Sequence, residues 1–203
     1  DPELLLGRAE LFLDKYDPGH AEEVAKEVLE RAPNHPDALV VMAKVKLAQT
    51  YDFDAADAFA RRALAVNPHH AEARFVRAGI ALRDMELARA DEELDHGLAA
   101  NPRHLRLLSL KAAVRLLADD QPGFAAAERK VLDLNPEYSA LYQIVGEYAE
   151  WEHRYDEIVA LMRRALLIDA GDAKARADLG INLLRAGDDA AGVRALAAAF
   201  DDD

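Results

Sequence analysis

The chain has 203 residues, half of them apolar, with 38 acidic against 25 basic side chains for a net charge of −13, and it has no cysteine. No apolar run approaches the 18 or more residues that a membrane span requires, and the surplus of negative charge repels phosphate backbones and anionic headgroups. These bounds predict a soluble protein without disulfide or thiol chemistry, without membrane insertion and without nucleic acid as a partner; cytoplasm and periplasm both stay open.

Along the chain the pattern predicts helices and no strand. The first pair covers 3–15 and 18–32, joined at Asp17-Pro18-Gly19, and the second covers 37–49 and 54–66. Then follow 70–83 with 87–100, and 104–118 with 122–134, the latter joined at Asp119-Asp120-Gln121-Pro122-Gly123. The last two pairs are 138–152 with 155–168, and 172–186 with 188–200 across Gly187-Asp188-Asp189. Asn67-Pro68, Asn101-Pro102 and Asn135-Pro136 stop one pair and admit the next, because proline lacks a backbone donor and forces the preceding residue out of helical geometry. Asp169-Ala170-Gly171 does the same once with glycine. Asp201-Asp202-Asp203 reads as a turn after the last helix, where a divalent cation is expected to visit only loosely.

Leu64, Leu98, Leu132 and Leu166 recur at a step of 34 residues, with Leu29 one residue early and Phe200 in register. Just before these come Val28, Ala63, Gly97, Val131, Ala165 and Ala199; earlier in each second helix stand Ala21, Ala56, Ala90, Phe124, Ile158 and Gly192. Small residues at fixed places allow neighbouring helices to approach, and the leucine is expected to fill the space between repeats, so that Leu98→Ala or Leu132→Ala would cost about 2 to 5 kcal/mol.

These features resemble the tetratricopeptide repeat family, a 34-residue helix-turn-helix unit with small residues in both helices and a closing proline. Ala9, Ala78, Ala112, Gly146 and Gly180 match the small residue of its first helix. The second unit departs from the pattern: one extra residue is placed near Asn34-His35-Pro36, and the small position falls on Ala43 or Lys44. Phe124 and Ile158 are larger than the pattern prefers. The resemblance implies an all-α, right-handed superhelical solenoid in one continuous array over 1–203, with repeats near 3–33, 36–67, 70–101, 104–135, 138–169 and 172–203. The chain looks like a segment of a longer protein.

In the resembled family the first helices line a concave face. That places Val41, Val45, Phe75, Leu82, Arg83, Arg106, Ser109, Leu116, Gln143, Glu147, Trp151, Ile181 and Arg185 on a candidate partner-binding surface, largely apolar in its middle. Some members hold an acidic chain terminus with a clamp of lysines and asparagines; here those places hold Leu6, Glu10, Val41, Val45, Phe75 and Gly79, so the clamp is absent. The expected ligand is a peptide or helix with an apolar or weakly basic face. The acidic clusters Glu22-Glu23, Asp91-Glu92-Glu93 and Asp188-Asp189 read as solvated helix starts favoured by the dipole, which makes Glu93→Ala silent.

Catalytic chemistry is not expected. His20, His35, His69, His70, His96, His104 and His153 sit mostly at turns, accessible and unpaired, and none has the helical zinc spacing around a glutamate. There is no phosphate loop and no serine elbow, and the reading includes neither metal nor cofactor. The function implied is a protein-interaction scaffold. Two alternatives remain: an accessory array of a larger bacterial enzyme, and an element that self-associates through the final helix near Leu196 and Phe200.

Overall fold

A computed structural model describes residues 1–201; Asp202 and Asp203, part of the expected acidic turn, lie outside the described residues. Asp201 is the last residue of a helix rather than a turn. The described residues form helices throughout, with no strand: α1 (Pro2–Asp14), α2 (Pro18–Arg31), α3 (Pro36–Thr50), α4 (Phe53–Val66), α5 (Ala71–Arg83), α6 (Leu87–Ala100), α7 (Leu105–Leu117), α8 (Gln121–Leu134), α9 (Ala140–Trp151), α10 (Tyr155–Ile168), α11 (Ala173–Arg185) and α12 (Asp189–Asp201). They gather into two compact units of three helix pairs each, residues 1–102 and 103–203.

The turn inside each pair is built in one way. Tyr16, Tyr51, Met85, Asp119, His153 and Gly187 all have positive φ, at steps of 35 and then 34 residues. At five of the six, the next N–H reaches back to a carbonyl five residues earlier, as in Glu86 to Ala81 at 2.8 Å and Asp120 to Arg115 at 2.9 Å. This left-handed cap satisfies the orphan carbonyls of the first helix, and a carboxylate then starts the second: Asp17, Asp52, Asp120 and Asp188 each accept from the N–H three residues on. Only Gly187 adopts this backbone without steric penalty.

α3 is the exception and shows where the extra residue lies. Seven residues separate Ala9 from Tyr16 and Ala78 from Met85, but eight separate Ala43 from Tyr51. The insertion is therefore at the end of α3, not near Asn34-His35-Pro36, and the cap bond stretches back six residues from Asp52 to Lys46. Ala43 is fully buried and takes the small position, leaving Lys44 half-exposed.

Small residues set the distance between paired helices. Ala9, Ala21, Ala78, Ala90 and Ala112 are fully buried. In the last pair a Cβ on Gly192 would lie 2.9 Å from the Gly180 carbonyl oxygen, closer than a real contact permits. Phe124 and Ile158 are both buried; Gly146 faces Ile158 and Met162, and a Cβ there would press on the Met162 methyl at 3.0 Å.

The periodic leucines are less central than their spacing implied. Leu64 is buried, but Leu98, Leu132 and Leu166 are half-buried and Phe200 is exposed, whereas the residues before them, Ala63, Gly97, Val131 and Ala165, are buried throughout. Glu93 reverses in the other sense. It is buried and lies 2.5 Å from both Arg74 and Arg77, and Arg77 Nε donates to buried Asp57 at 2.9 Å. Arg61 and Arg89 also approach Asp57, so α4, α5 and α6 share one charged cluster. Histidines at helix starts are engaged too: His70 is buried, accepts the Ala73 N–H at its Nδ1 and meets Asp37 at 3.0 Å through Nε2, while His104 caps Leu107.

Two outcomes follow for urea or thermal melts. Glu93→Ala removes the carboxylate shared by the half-buried Arg74 and Arg77 and should cost about 2 to 3 kcal/mol, while Leu98→Ala should cost only about 1 to 2 kcal/mol because its side chain is not fully buried. Tyr16, 85% exposed at φ 57°, should give a protein about 1 kcal/mol more stable when changed to glycine, and Gly187→Ala should lose a similar amount although nothing occupies the space its Cβ would take.

Candidate functional site

The expected partner face divides by burial. Val41, Val45, Leu82, Ser109 and Leu116 are buried, their side chains taken up by packing within their own units. Ser109 turns its hydroxyl to the Leu105 carbonyl at 2.9 Å. The apolar strip expected to lie open is therefore closed at these five positions, because first helices of successive pairs touch there and exclude water.

In unit 1 the first helices are joined by charge. Lys44 on α3 lies 2.9 Å from Glu10 on α1 and 3.1 Å from Glu72 on α5. Phe75 is half-buried, and Arg83 lies over the Phe53 ring at 3.5 Å while pairing with Asp84. The groups that could meet a ligand here are already matched to each other.

Unit 2 is more open. Trp151 at the end of α9 is 47% exposed and Ile181 on α11 is 39% exposed. Gln143, Glu147 and Trp151 are spaced four apart on α9 and share one face. α11 is tied to that face at both ends: Gln143 donates to Asp172, the N-cap of α11, and Arg185 pairs with Glu150. Arg185 also lies 5.6 Å from the Tyr155 ring centroid. Lys174 pairs with Asp178 at 2.7 Å, and Arg106 is half-buried on α7.

Glu147 is distinctive within this set. Its side chain is open to solvent, yet burial is the largest influence on its carboxyl and pushes the pKa up; the positive charges of Lys174 and Arg106 pull it down, and Glu150 and Asp178 push it up again. Half-buried Tyr148 beside it is raised well above the ordinary phenol range, first by burial and then by the Glu147 charge. Neither Glu147 nor its setting was distinguishable in the sequence from any other surface glutamate; the only signal was its place between Gln143 and Trp151 at helical spacing.

A second polar cluster lies between α8, α9 and α10. The Tyr142 hydroxyl donates to Glu128 at 2.9 Å, Arg164 reaches the same carboxylate at 2.6 Å, and burial with that carboxylate raises the phenol to about 12. Among the described residues no group of three or more His, Asp or Glu is placed to hold a metal ion. No described helix is long and apolar enough to cross a membrane.

No sequence-family model matches the chain, and no curated protein matches it in sequence. Solved structures do match in three dimensions. The thermophilic TPR protein TTC0263 of Thermus thermophilus is similar over 91% of this chain and 100% of its own, at 19% identity and a TM-score of 0.72. A tetratricopeptide repeat protein from Parabacteroides merdae is similar over 100% of this chain and 80% of its own, at 17% identity and a TM-score of 0.55. YrrB, a TPR protein with an unusual peptide-binding site, is similar over 90% and 93%, at 16% identity and a TM-score of 0.53. With paired helices, a recurring cap and small residues at the helix crossings, this chain has the tetratricopeptide-repeat fold, in six consecutive repeats.

Proposed function

We propose that the chain is a non-catalytic interaction scaffold that binds a peptide or helix of a protein partner on the first-helix face of unit 2. The observation that carries this reading is the exposure of Trp151 and Ile181 on a face where Gln143, Glu147 and Arg185 supply polar groups beside them. Half-exposed aromatic side chains next to polar groups are the composition from which binding hot spots are made. The family fold adds support, since a solved structure of the same fold has a peptide-binding site. The partner is a peptide with an apolar or basic side, because the face lacks a clamp for an acidic terminus and the chain carries a charge of −13.

A second reading, self-association, is favoured by α12. Val193 and Phe200 are exposed there, and half-buried Leu196 lies against Gly180. Phe200 with Val193 is the surface a second copy would use.

Trp151 is the chain's only tryptophan, so its fluorescence reports binding directly. A ligand seated on unit 2 should change that emission, and Trp151→Ala should weaken binding about 10- to 100-fold while leaving the melting temperature nearly unchanged. Light scattering over a range of concentrations separates the second reading: it requires a dimer or larger species that Phe200→Asp returns to monomer.

A further inference from the structure

The turns after α1 and α3 present tyrosines that the fold does not require. Tyr16 and Tyr51 stand at φ 57° and 50°, a backbone that glycine adopts without penalty, as Gly187 does at the equivalent place in the last pair. Both side chains are in water, at 85% and 69% exposure, so burial does not offset that penalty. Strained backbone beneath an exposed aromatic ring, with no packing gained, points to a role outside the fold.

The two turns lie on one edge of unit 1. The first helices α1, α3 and α5 touch in succession. Lys46, whose carbonyl accepts the Asp52 N–H, reaches Glu22 near the start of α2 at 3.1 Å, which holds the turn after α3 beside the turn after α1. Each ring has a carboxylate close by in the chain: Asp14 comes two residues before Tyr16 and Asp54 three after Tyr51. Both are exposed and form neither hydrogen bond nor ion pair among the described residues. Asp17 is held by His20, Asp52 caps Ala55, and exposed Lys15 lies between Asp14 and Tyr16.

The neighbouring turn shows what a ring and a carboxylate hold together on this edge. Arg83 lies over the Phe53 ring, 3.5 Å from its centroid, while its Nε donates to Asp84 at 2.8 Å. The Tyr51 ring is 6.5 Å from that same Phe53 ring, so the filled seat adjoins an open one. Among the described residues no cation lies over Tyr16 or Tyr51. We propose that Tyr16 with Asp14, and Tyr51 with Asp54, are two seats for arginine side chains, and that this edge of unit 1 docks an extended, arginine-bearing segment of a protein partner. Charge complementarity selects the cation, and shape selects arginine over lysine: a flat guanidinium stacks on a ring and still has N–H groups to give a carboxylate. Adjacent helix axes lie about 8 to 10 Å apart, which an extended chain covers in about three residues, so arginines three apart reach both seats. The seats do not depend on the unit 2 face.

The test is fluorescence anisotropy on the whole chain with a labelled peptide that carries arginine at every third place among glycines and serines, beside its all-lysine counterpart. The arginine peptide should bind about 10-fold more tightly than the lysine one, through the stacking of two guanidinium groups. Tyr16→Gly with Tyr51→Gly should raise the melting temperature and yet weaken the arginine peptide about 10-fold. Tyr16→Phe with Tyr51→Phe keeps the rings and should keep the binding, whereas Asp14→Asn with Asp54→Asn should weaken it without lowering the melting temperature. Equal binding of the two peptides, or binding that survives the glycine pair, would reduce the effect to the general attraction of a chain of charge −13 for cations and overturn the proposal. No binding of the arginine peptide would overturn it too. Trp151→Ala should leave this binding unchanged; binding lost there and untouched by the glycine pair would place the peptide on unit 2, overturning the seats and leaving the scaffold reading in place.

Discussion

Where a first helix crosses its second, each contributes a small side chain, and the close approach this permits governs what the remaining residues can do. Ala9 with Ala21, Ala78 with Ala90, and Gly180 with Gly192 bring the backbones so near that larger neighbours are directed outward to the adjoining pairs. A pair built this way cannot bury its own apolar flanks and needs a neighbour on each side. The left-handed cap between the two helices follows from the same demand, since it turns the chain within two or three residues. Five non-glycine residues adopt that strained backbone, which shows that the crossing sets the turn and not the reverse.

Most of the helical framework was legible in the sequence, for a physical reason. Helix starts and stops depend on residues close in the chain, such as Asp17 before Pro18 or Asn67 before Pro68, and the repeat states the same rule six times. The helix bounds differ from the expected ones by only a residue or two. What was not legible depends on side chains that meet across helices. Glu93 looked like one more charge at an acidic helix start, because nothing local announces that Arg74 and Arg77 on the preceding helix will fold over it. Leu98 looked central because it is large and periodic, but burial falls on the small residue before it, which faces the crossing directly. The misplaced insertion has the same origin: Asn34-His35-Pro36 is a turn and so invites an extra residue, yet the final turn of α3 widened to take it.

The face assigned to binding was legible as a set of positions and not as a surface. The family's inward places grouped Gln143, Glu147 and Trp151, but the same places also include Val45 and Ser109, which packing closes off. Exposure separates the two groups, and exposure is a property of neighbouring helices. Unit 1 neutralises its first helices internally through Lys44, Glu10 and Glu72, whereas unit 2 leaves Trp151 and Ile181 partly exposed. One recurring architecture thus produces a closed face and an open one from a few substitutions at equivalent places.

The most direct measurement is a map of amide chemical-shift changes in the isotopically labelled chain as a peptide with an apolar and a lysine-bearing side, chosen for its effect on Trp151 emission, is added. Binding as described should move the signals of Gln143, Glu147, Trp151, Ile181 and Arg185 first and most, and leave the outward residues of α10 and α12 in place. Shifts confined to the second helices, or to α1, α3 and α5 of unit 1, would contradict it.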